Sequence, residues 1–134
     1  MTIVVGYIPT PEGRAALEAA VQEASRRAQH LLVLNASRGD SYADRGFAPE
    51  EELESVRRQL AATGISFDLR QLVRGKEPAE EVVRAAEEVG AEMIVIGLRR
   101  RTPVGKLILG STAQRILLDA TCPVLAVKAD GSSP

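Results

Sequence analysis

Four short aliphatic runs punctuate the chain: Ile3-Val4-Val5-Gly6, Leu31-Leu32-Val33-Leu34, Met93-Ile94-Val95-Ile96 and Val124-Leu125-Ala126-Val127. None alternates with polar residues, so each reads as a strand buried on both faces, the pattern of a parallel sheet covered by helices. A fifth stretch, Ile65 to Val73, behaves differently. There Ile65, Phe67, Leu69 and Val73 alternate with Ser66, Asp68 and Arg70, which predicts an edge strand with one wet face.

Between the runs the apolar positions take up helical spacing: Leu17, Ala20, Val21, Ala24 and Ala28; Leu53, Val56 and Leu60; Ala79, Val82, Val83 and Ala86; Ala113, Ile116, Leu117 and Ala120. Each set makes one apolar stripe that must face a sheet. Thr10-Pro11, Ala48-Pro49 and Glu77-Pro78 put proline at a first helical position, and Gly64 and Gly90 stop the second and third helices. The predicted order is β-α-β-α-β-α-β-α-β. Such alternation gives an α/β single-domain, open, Rossmann-like parallel sheet with helices on both faces, and places ligands beyond the carboxyl ends of the strands where strand order reverses. Residues Ser37 to Phe47 read as a mobile loop, and residues 129–134 as a disordered tail.

Composition narrows the chemistry. A chain of 134 residues has room for one core, which buries roughly two-thirds of the surface the unfolded chain exposes. With two Tyr, two Phe and no Trp, that core is aliphatic. The net charge of -1 supplies no positive field for a phosphate backbone, and stacking platforms are scarce, so no nucleic-acid partner is expected. No apolar run approaches the roughly 18 residues of a membrane span, and no basic segment precedes the first apolar run. No membrane association is expected, and the location is read as cytoplasmic. The single cysteine, Cys122, precludes an internal disulfide, which fits a reducing compartment.

The informative segment runs from Ile96 to Gln114 and joins a buried strand to the last helix. Ser111, followed three residues later by Gln114, reads as a capping box, so Gly110-Ser111-Thr112 should form a helix N-terminus that presents amides and a positive dipole end. That arrangement favours anions. Arg99, Arg100, Arg101 and Lys106 add positive charge beside it, either as an anion site or as a solvated basic loop.

Gly97, two residues, Arg100, nine residues and then Gly110-Ser111 resemble the signature of the universal stress protein family, in which two glycines separated by two residues are followed, nine residues later, by Gly-Ser or Gly-Thr. The likeness extends from the opening strand and helix, through Gly75-Lys76-Glu77-Pro78-Ala79-Glu80-Glu81, to Cys122-Pro123-Val124-Leu125-Ala126-Val127, and makes residues 1–128 the domain. It implies a five-stranded sheet of order 3-2-1-4-5, a homodimer paired through the final strand, an unidentified protein partner, and ATP or AMP as ligand without a metal site of the protein's own. Carried over by position, Gly97, Arg100, Gly110, Ser111 and Thr112 are implied at the ribose and phosphates, with Ile8, Pro9, Ala36 and Ile96 near base and ribose. Two positions depart from the pattern. Ile8 stands where the family's ATP binders usually carry aspartate, and Arg100 replaces the second glycine. The same resemblance therefore accommodates a dimeric interaction protein of this fold without nucleotide.

Other chemistries lack their residues. Gly105-Lys106 does not complete a P-loop, because Arg100 occupies the position of the first glycine and Leu107 that of the magnesium-binding hydroxyl. A flavin carrier on a similar sheet is disfavoured by the few aromatics. His30, the one histidine, reads as a surface residue at the start of the second strand and founds no Ser-His-Asp arrangement. Cys122 ahead of Pro123 reads as a buried, inert thiol, and Glu50-Glu51, Glu80-Glu81 and Glu87-Glu88 as solvated faces or favourable first turns. No enzyme activity beyond very slow ATP hydrolysis is expected.

Overall fold

The computed structural model describes residues 1–37, 46–73, 76–99 and 109–129. The elements follow the predicted order: β1 (Thr2–Gly6), α1 (Pro11–Arg27), β2 (His30–Ser37), α2 (Glu50–Thr63), β3 (Phe67–Val73), α3 (Pro78–Val89), β4 (Met93–Leu98), α4 (Ser111–Asp119) and β5 (Val124–Lys128). All pairings are parallel and the strand order is β3-β2-β1-β4-β5, with Thr2 opposite His30, Ile3 opposite Met93, Leu31 opposite Phe67 and Ile94 opposite Val124.

Side-chain alternation divides the core in two. Ile3, Val5, Tyr7, Leu31, Val33 and Val95 meet the stripes of α1 and α2, built from Ala16, Leu17, Ala20, Leu53, Val56 and Leu60. On the other face Val4, Leu32, Leu34, Ile94 and Ile96 meet Ala79, Val82 and Ala86 of α3 and Ile116 of α4. Each fully buried aliphatic side chain here contributes about 1.5–3 kcal/mol relative to exposure.

Helix ends obey local rules with some corrections. Thr10 caps α1, its hydroxyl accepting from the Gly13 amide at 3.1 Å, and Pro11 and Pro78 take first helical positions as expected. Pro49 instead precedes α2 as its N-cap, with its carbonyl accepting from the Leu53 amide. Gly64 and Gly90 end α2 and α3 at φ 80° and 61°. The expected capping box at Ser111 does not form. Gly110 is the N-cap of α4, Ser111 lies inside the helix, and no side chain caps the end.

Both edge strands depart from expectation in detail. β3 starts at Phe67 rather than Ile65, and Val73, predicted to face inward, is 42 % exposed. Gln71, on the same face as Phe67, Leu69 and Val73, is half-buried there because its amide donates to Asn35 Oδ1 (2.9 Å) and to the Ala48 carbonyl (2.7 Å), while Val73 stands at the exposed end of the strand. β5, read from its continuous apolar run as buried on both faces, is only half-buried along Val124–Val127. It is the outer strand beyond β4, paired among the described residues on one side only, with Leu125 and Val127 against one half of the core and Val124 and Ala126 against the other. The loop expected at Ser37 to Phe47 falls largely on residues 38–45, and the expected tail on 130–134, both outside the described residues.

Candidate functional site

The sheet reverses between β1 and β4. α1, which follows β1, packs on one face, and α4, which follows β4, packs on the other, so their N-termini diverge and leave a crevice beyond the strand ends. A cleft of about 490 Å3 occupies that crevice, within the size range of small-molecule sites.

Its walls come from different elements. Gly6 and Ile8 continue β1, Leu34 and Ala36 end β2, and Ile96, Gly97 and Arg99 end β4. Pro78 and Val82 of α3 give an aliphatic side, and Gly110, Ser111, Thr112 and Ala113 bring the start of α4 to the rim. The first amides of a helix have no intrahelical acceptor, and among the described residues no side chain caps them, so the α4 terminus offers donors and a positive dipole end. Its chain enters the helix through Gly110 at φ −70°, ψ 165°, with nothing among the described residues within 4 Å of an added Cβ.

Two other glycines form the floor by close approach. A methyl on Gly97 would lie 2.1 Å from the Glu12 carbonyl oxygen, and one on Gly13 would lie 1.8 Å from that of Ile8. Both distances are far inside van der Waals contact, so α1 meets the turn after β1 and the end of β4 through bare backbone. Gly97 is therefore needed for packing as well as for access, and Gly13 goes unnoticed in a reading based on motifs.

Of the residues implied at a ligand, Ile8, Ala36, Ile96, Gly97, Gly110, Ser111 and Thr112 all line this cleft. Pro9 is not part of the lining, and Arg100 lies outside the described residues. Arg99, from the basic run expected beside the α4 terminus, and Glu12, unanticipated, join the lining and are its charged members among the described residues. Glu12 is 8 % exposed in the first turn of α1. Because it sits in a first turn, sequence alone classes it with solvated carboxylates.

Asn35 holds the adjoining wall. Fully buried, it donates to the carbonyls of Tyr7 (2.8 Å) and Gly46 (2.6 Å) and accepts from the Ala48 amide (3.2 Å) and Gln71 (2.9 Å). Tyr7 is buried beneath the cleft, and its hydroxyl donates to Glu52, which also pairs with Arg14 at 3.5 Å. Burial, then the Glu52 carboxylate, pushes the Tyr7 phenol well above its ordinary range.

Elsewhere the structure revises smaller expectations. His30 does contact a serine and an aspartate: Nδ1 lies 2.6 Å from Ser66 Oγ and Nε2 2.9 Å from Asp68 Oδ2. This cluster ties β2 to β3 at the amino end of the sheet, beside a cavity of about 540 Å3 remote from the cleft. Glu81 is 3 % exposed and pairs with Arg84 at 3.8 Å, so it is not part of a solvated face, whereas Glu80 is exposed. Cys122 is half-buried rather than buried, and desolvation raises its thiol pKa, which lowers the reactive thiolate fraction. Among the described residues no group of three His, Cys, Asp or Glu is placed to hold a metal, and no helix is long and apolar enough to cross a membrane.

An open parallel α/β sandwich with a ligand-sized cleft at its switch point defines a broad class of small-molecule-binding folds. Within that class the universal stress protein family model matches residues 1–128, and the chain belongs to this family. It is 50% identical over 129 residues to a universal stress protein of Mycolicibacterium smegmatis, covering 96% of this chain and 98% of that one. Among solved structures it resembles a universal stress protein from Archaeoglobus fulgidus with a TM-score of 0.77 and 32% identity, covering 95% and 97% of the two chains. An Archaeoglobus fulgidus universal stress protein in complex with dAMP superposes with a TM-score of 0.69 at 27% identity, covering 95% and 96%.

Proposed function

We propose that this chain binds an adenine nucleotide, ATP or AMP, in the switch-point cleft and acts as a cytoplasmic stress-response module whose dimer or partner contacts respond to the bound ligand. The observation that carries the reading is the convergence of Ile8, Ala36, Ile96 and Gly97 with the uncapped α4 terminus at Gly110, Ser111 and Thr112 on one cleft. Aliphatic walls suit a base, and helix amides at the rim suit phosphate. The dAMP complex of a 27% identical protein of the same family supports the ligand class. Arg99 lines the same rim, and Arg100 extends the run by one more fork for phosphate oxygens. The reading is of binding rather than turnover: the one histidine lies at the other end of the sheet, and hydrolysis faster than about 1 s⁻¹ would contradict it.

Calorimetry with ATP and AMP, against a Gly110→Asp, Ser111→Ala variant, tests the proposal. A carboxylate at the α4 terminus repels phosphate, so micromolar binding is expected in the native protein and none in the variant. No heat from the native protein with either nucleotide would leave the second reading, a dimeric interaction protein of the same fold. That reading is favoured by Ile8 in place of an acceptor and by the half-buried apolar edge at β5.

A further inference from the structure

The cleft contains an acid whose position gives it a job. Glu12 is the second residue of α1, nearly inaccessible to solvent, and part of the cleft lining. Its Cβ lies 3.1 Å from where a Cβ on Gly97 would stand, so its side chain leaves the main chain at the seam between α1 and the end of β4. Burying a carboxylate is costly unless hydrogen bonds meet it, and this one already has a partner within the chain.

The remaining polar side chains of the described lining do different work. Arg99 can only donate. Tyr7 commits its hydroxyl to Glu52 of α2, on the opposite side of the sheet from α3 and α4. Ser111 and Thr112 belong to the α4 terminus at the rim. Among the described residues of the lining, a sugar hydroxyl that enters the cleft as a donor therefore finds Glu12 as the side chain that purely accepts, while Ile8 offers no acceptor. A carboxylate has about four acceptor positions, so it can accept a sugar hydroxyl alongside a partner within the chain.

We infer that Glu12 accepts the ribose 2′-hydroxyl of the bound nucleotide and makes this cleft select ribonucleotides over 2′-deoxyribonucleotides. The inference rests on the nucleotide reading above. It places the sugar against the α1–β4 seam, with the phosphates toward α4 and the base against Leu34, Ala36 and Val82. A site built around a hydroxyl rejects the analogue lacking it, because the acceptor is then left buried with one bond fewer.

Titration of AMP and dAMP into the native protein, Glu12→Gln and Glu12→Asp tests it, with each protein checked for folding by circular dichroism and thermal midpoint. The native protein is expected to bind AMP about tenfold or more tightly than dAMP. Glu12→Gln, which removes the charge at constant shape, should bring the two within about twofold by weakening AMP alone, and Glu12→Asp should fall between. Equal native affinities for AMP and dAMP would overturn the inference, whether or not the variants fold. An unchanged AMP to dAMP ratio in folded Glu12→Gln would make Glu12 a purely structural residue and overturn it too. Failure of the native protein to bind either nucleotide is a separate result, since it removes the nucleotide reading itself.

Discussion

Ionising Tyr7 would put a phenolate inside the core beside the Glu52 carboxylate, so the folded protein holds that proton more tightly than the unfolded chain, whose phenol titrates near 10.0. Below pH 10 both states keep the proton and the stabilisation is complete. As pH climbs past 10 the unfolded chain releases its proton first, and stability falls. Chemical denaturation between pH 8 and 11 should therefore show a steeper alkaline loss in the native protein than in Tyr7→Phe, and equal slopes would refute the assignment. At neutral pH the same substitution removes one hydrogen bond to a charged group, about 1–2 kcal/mol, seen as a thermal midpoint several degrees lower. Neither Tyr7 nor Asn35 was legible in the sequence as a site-supporting residue. Each bonds to groups far along the chain, Tyr7 to residue 52 and Asn35 to residue 71, and no local pattern encodes such pairings.

At the scale of elements, α1 is held to the turn after β1 and to the end of β4 at points where no side chain intervenes. Gly13→Ala should raise helix propensity by about 1 kcal/mol yet destabilise the protein by about 2 kcal/mol net, since its methyl meets the Ile8 carbonyl. Gly97→Ala, in β4, should also destabilise the protein, because its methyl meets the Glu12 carbonyl, and on the proposed nucleotide reading it should weaken AMP binding about tenfold as the cleft floor shifts. Gly110→Ala, with nothing among the described residues within 4 Å of the new methyl, should lower the denaturation midpoint only by the small cost of a poorer N-cap, well short of the Gly13 effect; a drop as large as that of Gly13→Ala would contradict the geometry. Element order and most helix boundaries were legible, because Pro11, Pro78, Gly64 and Gly90 act through their own backbone restrictions. The end of α1 was not. Ala28 adopts φ 55°, and no glycine announces it. The start of α4 was misread since Ser111-Gln114 fits a capping box, but glycine is also an acceptable N-cap, and the approach of the preceding chain decides between them.

For the molecule as a whole, β5 carries an apolar run typical of a fully covered strand yet is only half-buried, and Leu118 on the neighbouring helix is 73 % exposed. The run records what the strand needs covered, not what its own chain covers. Its second cover, on the present reading, is another copy of the chain, so sedimentation at micromolar concentration should give twice the 14.3 kDa chain mass. A monomer at that concentration would count against pairing through the final strand. The seam between α1 and β4 bears on how such a protein diversifies. Because the cleft floor there is backbone against backbone, its shape is specified by atoms that are missing at Gly13 and Gly97, while its rim is specified by side chains such as Ile8, Glu12, Arg99 and Ser111. Mutation can therefore rewrite what the protein holds without disturbing how it holds together, and descendants of one such chain can part company over ligand while remaining superposable in fold.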